Sequence, residues 1–469
     1  MNPQEQKVFK LKNYFSIPCF YDSHLHFEGI GKYLAKNNLN QISTLQDLNN
    51  YIRNLKSDHN SNSKSFIEGF GLKKTLTQNL KILDDLFNQI QSSSNFYFVL
   101  EDGHQLLVHG PILNLFFQNL KYKNIKITYN SNQFLDETQF NYYQSTCLFN
   151  DEHRKHFDEF YNDLNLKDLN NHDDHKTTES HLLLAQTTLL KSGVTHFRDL
   201  TSDLNQLTSL LSLEKTKQLT VFPETFYSDF SGQNVDQLIK DSTEAKNILL
   251  HKKSKVIHRG IKIFLDGTFS QCTVDTNPLE CKSKYSVNEI KDLLLLASNQ
   301  DLEISFHTIG DLAVEKVIKS FFIVKDLFKT QLHLEHCELI NTETLQILKK
   351  LRLLDKSKIT FHFQPSHYLM DQIQLNHIKS NKKEIQILAW PDLHHSGFKI
   401  FFGSDAPVSP PGLNYLEDLV LEPFFISHYS KAPFWSFFNH PEYKIHPETY
   451  TLFKGHHVQS VFISGQKII

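Results

Sequence analysis

The sequence predicts an α/β chain built on a closed barrel of eight parallel strands, and three observations lead there. Downstream of residue 180, short apolar runs alternate with helical patterns at the spacing of repeated strand–helix units. Six runs along the chain end in polar residues at or just before a turn, and five of them present metal-competent side chains in the order His-x-His, Lys, His, His, Asp. Counting every strand candidate of this kind gives eight, the number that a closed barrel needs.

The first of these strands is FYDSHLH, residues 20–26, followed by a turn at Gly29 and Gly31. The next barrel strands are expected only after residue 180, so the region between is surplus to the barrel. It has a strand candidate of its own, NFYFVLED at 95–102, and a helix candidate at 79–91. Its most polar part, residues 151–176, reads as solvated linker or exposed helix. This surplus is read as an inserted α+β subdomain spanning 38–177.

A helical stretch at 178–191 then leads through Ser192 and Gly193 into VTHFRD (194–199), and a further helix leads into LTVFPETF (219–226). Five more strands follow: IKIFLD (261–266), ISFH (304–307), LHLEH (332–336), ITFHFQ (359–364) and IFFGSD (400–405). ITFHFQ supplies no ligand and acts as spacing. Two short β-like runs at the chain ends, 8–19 and 459–469, are placed to pair with each other beside the barrel.

Composition excludes several classes. The formal net charge is -3 and lysines are interleaved with acids, so no long-range field favours nucleic acid. No run reaches the roughly 18 apolar residues of a membrane span, and the start MNPQEQKVFKLKN lacks the apolar core of a signal peptide. A cytoplasmic location is expected. The five cysteines are scattered without a C-x-x-C pair, which argues against a disulfide framework and a thiolate metal site. Any metal is therefore held by nitrogen and oxygen.

In a strand, residues i and i+2 share a face, so His24 and His26 can aim at one ion. With 26 histidines in 469 residues the pair alone is a weak signal, and its weight comes from the other strand ends. Lys262 is flanked by apolar residues that would bury its ammonium, a costly state unless the group is paired or neutral. A neutral amine can combine with carbon dioxide to give a carbamate that bridges two ions; the alternative is an ammonium paired with Asp266 or another acid. His307 and His336 end consecutive strands, and Asp405 in FFGSDAP can bind an ion through one oxygen and take a proton from water with the other, or simply cap a turn before Pro407. Jointly these six suit one or two divalent ions, zinc above all, and metal-activated hydroxide makes hydrolysis the reaction that follows.

The strings DSHLH (22–26), EDGHQ (101–105), IKIFLDG (261–267), HTIGD (307–311), LEH (334–336), FQPSH (363–367) and GSDAPV (403–408) resemble, in order, those of the amidohydrolase superfamily, in particular family 3 and its N-substituted formamide deformylase-like branch. The resemblance implies a TIM-like (β/α)8 barrel over 21–37 and 178–444. It implies a reduced β-sandwich from 1–20 and 445–469, and an insertion over 38–177 that covers the active site. It further implies His24 and His26 on the more buried ion, carbamylated Lys262 as bridge, His307 and His336 on the second ion, Asp405 as ligand and general base, and His104 near the substrate. Aromatic residues within 424–438 could add an apolar wall.

The expected function is metal-dependent hydrolysis of an amide-type C–N bond, other than a peptide bond, in a small molecule. Two alternatives stay open: a deaminase or an ester or lactone hydrolase on the same barrel, and a non-catalytic barrel that only binds. Neither a nucleic acid nor a membrane is expected as partner, and a homo-oligomer stays open.

Overall fold

The computed structural model describes residues 14–18, 20–58, 66–91, 95–100, 105–122, 141–143, 146–149, 157, 160, 174–229, 234–250, 252–269, 274–276, 284–381, 384–413, 449–454, 457–464 and 466–469. Two compact units divide the chain, Met1–Gly31 with Asp174–Ile469, and Lys32–Asp173. Strands β1 (Tyr14–Pro18) and β2 (Tyr21–Leu25) belong to the first unit.

The second unit carries β3 (Asn37–Asn38), β4 (Phe66–Leu72), β5 (Asn95–Leu100), β6 (Leu106–His109), β7 (Asn141–Tyr143) and β8 (Thr146–Phe149). They form one sheet in the order β3-β4-β5-β6-β8-β7, parallel from β3 to β5 and antiparallel beyond. Side chains of β5 alternate between two cores: Phe96, Phe98 and Leu100 join Leu48, Leu83 and Phe87, while Tyr97 and Val99 join Phe116 and Phe149. Both faces of this strand are covered, which is why it reads as an unbroken apolar run. Most of the polar stretch 151–176 lies outside the described residues.

The remaining strands of the first unit are β9 (His196–Ser202), β10 (Phe222–Ser228), β11 (Ile257–Phe264), β12 (Glu303–Thr308), β13 (Leu332–His336), β14 (Leu339–Asn341), β15 (Ile359–Phe363), β16 (Ile385–Ile387), β17 (Lys399–Phe402), β18 (Tyr450–Lys454), β19 (His457–Ile463) and β20 (Gln466–Lys467). Eight of the unit's strands form one sheet in the order β17-β15-β13-β12-β11-β10-β9-β2, every pair parallel. This is the α/β barrel that the sequence predicts, with the same eight strands.

The seam between β2 and β17 closes at the C-terminal rim. His26 N–H donates to Ala406 O at 2.8 Å and Asp405 N–H to His24 O at 2.7 Å. The Asp22 carboxylate accepts from Ser404 N–H at 2.9 Å, and burial pushes its pKa up to about 6. Gly403 is required for so close an approach, because a Cβ there would stand 2.5 Å from His24 N. Helices cover the outside of the barrel; Val287–Asn299, for example, starts with a reciprocal capping box between Ser286 and Glu289 and buries Ile290, Leu293 and Leu294.

The chain ends form a four-stranded sheet, β1-β18-β19-β20, antiparallel throughout. Here the expected pairing is corrected: among the described residues the terminal runs do not pair directly, because β18 takes the place between β1 and β19. Its Thr451 and Phe453 are fully buried, and Thr451 Oγ1 donates to Gly193 O at 2.6 Å, fastening the strand to the turn that precedes β9. Among the described residues no helix is long and apolar enough to cross a membrane.

Candidate metal centre

All six residues singled out as ligands stand at the barrel's C-terminal rim, and the structure brings them together. Lys262 Nζ lies 3.1 Å from His24 Nε2. Asp405 Oδ1 is 3.3 Å from that same nitrogen and 2.8 Å from His26 Nε2. The His336 ring centroid is 4.8 Å from that of His24 and 4.4 Å from that of His307. One nitrogen each of His24 and His336 and one oxygen of Asp405 all lie within 4.8 Å of one another.

Period-2 alternation does not by itself explain the position of His336. Along β13, His333 and Glu335 share one face; Glu335 reaches across the lumen, while Leu332 and Leu334 face outward into the core. His336 has the outward parity. It is re-aimed because the chain turns left-handed there, with φ of 70° at His336 and 48° at Cys337. Asp405, three residues beyond the end of β17, is turned by the same device at φ 60°. Such backbone costs a non-glycine residue on the order of 1 kcal/mol or more, and it concentrates at functional sites.

Neighbours fix the imidazole orientations. His24 Nδ1 stands 2.7 Å from Glu335 Oε2, which leaves Nε2 directed at Lys262 and Asp405. His26 Nδ1 stands 3.0 Å from Thr201 Oγ1. Glu335 in turn accepts from Arg198 Nη1 at 2.9 Å and Ser305 Oγ at 2.6 Å. Burial alone would raise its pKa, but Arg198, His362 and His24 hold it well below the usual carboxylate range. Asp405 is likewise held low against burial by His24 and His26. Burial lowers Lys262 to about 8 even though Glu335 and Asp405 oppose the shift.

His307 is placed differently from the others: its Nε2 lies 3.2 Å from Gly267 O and its ring stacks on Phe264. Asp266 does not pair with Lys262. Its carboxylate accepts from the backbone N–H groups of Ile309, Gly310 and Asp275, which tie the loops after β11 and β12 together. His104 lies outside the described residues, as do 424–438.

The residues present fit a metal. His336 is 2 % exposed and neither ring nitrogen has a hydrogen-bond partner, an unfavourable state for a purely structural histidine. Burial, with His307 and His24 beside it, drives its pKa well below the usual value, so the ring is neutral and can ligate.

Sequence reasoning gave no role to four further residues at this rim and beneath it. Glu335 and Arg198 carry the support of His24, and a charged residue inside an apolar strand, as in LHLEH, was the available signal. Glu338 and His367 are also at the rim, with Glu338 Oε1 and His367 Nδ1 3.3 Å apart. The ITFHFQ run is more than spacing: its His362 enters the lumen, 3.0 Å from His333.

The Amidohydrolase family profile matches residues 163–412, more than half of the chain. The chain belongs to the amidohydrolase family and is a hydrolase by that membership. Two solved structures share its fold over 90 % of its length: an uncharacterized metal-dependent hydrolase from Pyrococcus horikoshii OT3, at TM-score 0.60 and 16 % identity over 77 % of that chain, and one from Pyrococcus furiosus, at TM-score 0.59 and 18 % identity over 80 % of that chain. No curated protein matches the sequence.

Proposed function

We propose that this chain is a zinc-dependent hydrolase of a small amide, cleaving a C–N bond that is not a peptide bond. The reading is carried by the buried His336 imidazole, which has two unpartnered nitrogens and stands beside His24 and Asp405. His24, His26 and Asp405 would hold a first ion, with Lys262, as its carbamate, bridging to a second beside His336 and His307. Ions so held would supply Lewis acidity and a water acidic enough to ionise near neutral pH.

Each residue then has a task. Asp405 takes the proton of the attacking water and hands it to the departing amine nitrogen. Glu335 and Thr201 keep the His24 and His26 rings turned inward through their Nδ1 atoms. Lys262 is suited to carbamate formation because burial lowers its pKa and leaves more of the amine neutral at a given pH.

The test is ion content per purified chain, together with turnover of a panel of N-formyl and N-acyl amines, esters, lactones and amino-heterocycles. At least one divalent ion per chain is expected, with amide cleavage stopped by a chelator and restored by Zn2+. Turnover of esters alone, or ammonia release from heterocycles alone, would replace the assigned bond. Absence of both ion and turnover after metal supplementation would leave a barrel that only binds.

A further inference from the structure

His336 belongs to a second group of potential ligands besides the one it makes with His24 and Asp405. One atom each of His336, Glu338 and His367 also lie within 4.8 Å of one another. All three side chains are buried, at 2 %, 1 % and 5 % exposure. Each has a polar atom without a hydrogen-bond partner: both ring nitrogens of His336, Oε2 of Glu338 and Nε2 of His367. A Glu–His pair retained only for packing would be expected to satisfy those atoms, since a buried polar atom left bare forfeits its hydration without compensation. The other atoms of the pair already face each other, Glu338 Oε1 to His367 Nδ1 at 3.3 Å, and His367 Nε2 is turned to Asp405, so Glu338 Oε2 and the His336 nitrogens remain for a third party.

Asp405 links the two groups. Its Oδ1 faces His24 and His26, at 3.3 and 2.8 Å, while its Oδ2 stands 3.5 Å from His367 Nε2. Nitrogen and oxygen ligands about 2.1 Å from a shared ion in a tetrahedral array are about 3.4 Å apart, so the 3.5 Å between His367 and Asp405 has room for both to be ligands of one cation. We propose that Glu338 and His367, with His336, hold a divalent cation at the rim, and that Asp405 bridges it to the ion of His24 and His26.

This deepens the proposed function, sharing His336 and Asp405 with it. It supplies the second ion with ligands that the strand ends alone do not, since His307 Nε2 is turned toward Gly267 O. The left-handed turn at His336 and Cys337 serves both groups, because it brings Glu338 back toward the mouth two residues after the strand ends. His367 arrives from the first turn of the helix His367–Asn381.

The experiment is zinc stoichiometry, read by plasma mass spectrometry after loading the stripped full-length chain with Zn2+ and removing loosely held ions. Two ions per chain are expected for the wild type, and one for Glu338→Gln and for His367→Asn. His24→Asn should also bind one, and combined with His367→Asn none. The ion retained by each single variant reports that it is folded, with circular dichroism as a second check. Two ions retained in both Glu338→Gln and His367→Asn would overturn this site while leaving the proposed hydrolase intact. One ion in the wild type, lost in His24→Asn but kept in His367→Asn, would do the same. No ion in any form would overturn both.

Discussion

At the base of the barrel lumen, His333 stands 2.9 Å from a Glu303 oxygen and 3.0 Å from His362, and Glu224 is shared by Arg259 and the Tyr21 hydroxyl. At the rim, His336 has no partner on either nitrogen. Both regions bury histidines and carboxylates inside one ring of strands, so residue type and burial do not set them apart. Charge balance does. Glu224, Glu303 and Glu335 are matched by Arg198 and Arg259 and by histidine hydrogen bonds.

What the base leaves over is water-sized. Arg198 Nε and Nη2, His362 Nδ1 and Gln331 Oε1 have no hydrogen-bond partner, and their side chains line a cavity of about 30 Å³. That mixture of donors and acceptors, in a space about large enough for a water or two, calls for solvent rather than an ion. The rim differs because His336 keeps two bare ring nitrogens and Glu338 a bare Oε2 beside a second carboxylate, Asp405, an array suited to a cation. Unpaired buried atoms thus point to a ligand only when their shared sign is considered.

The largest effect should come from the rim. Asp405→Asn keeps the shape and removes the proton acceptor, so turnover of an amide that the wild type hydrolyses should fall by about 10²–10⁴-fold, with cooperative unfolding retained. An unchanged rate would remove Asp405 from proton transfer and with it the contrast between the two regions. The next effect is on stability and probes the layer that joins them. Glu335→Gln strips the partner of a fully buried Arg198 and should cost about 3–5 kcal/mol in urea unfolding, whereas adding Arg198→Met should restore much of that. If the double variant is no more stable than the single one, the layer is not balanced as a charge pair.

The barrel was legible because its strands are apolar runs cut off by polar residues, a pattern set by burial on both faces up to the rim. The ligand tips were legible for the same reason. What the sequence hid was direction. Alternation along LHLEH places His336 with Leu332 and Leu334, and only the left-handed φ at His336 and Cys337 turns it to the mouth. Glu338 and His367 follow strand ends rather than occupying them, so their approach to His336, and that of His367 to Asp405, depends on loop geometry that no residue period encodes. The terminal sheet was half legible: both runs were seen, but β18, which separates them, was not.

The smallest effect tests whether a partnered buried histidine behaves unlike His336. His258 is enclosed between strand and helix, with Nδ1 3.0 Å from Thr225 Oγ1 and Nε2 2.6 Å from Ser242 Oγ. Burial lowers its pKa to about 3, whereas the unfolded chain binds the same proton near the ordinary value of about 6.5. The unfolded state therefore holds more protons between these values, and His258 makes stability fall as pH drops from about 6.5 toward 3, with a slope approaching about 1.4 kcal/mol per unit. His258→Gln, neutral throughout, should lose that contribution in urea titrations between pH 7 and 4 without altering the zinc count. If the variant and the wild type show parallel slopes, burial does not hold His258 neutral, and a satisfied imidazole would no longer be the right reference for the bare one at the rim.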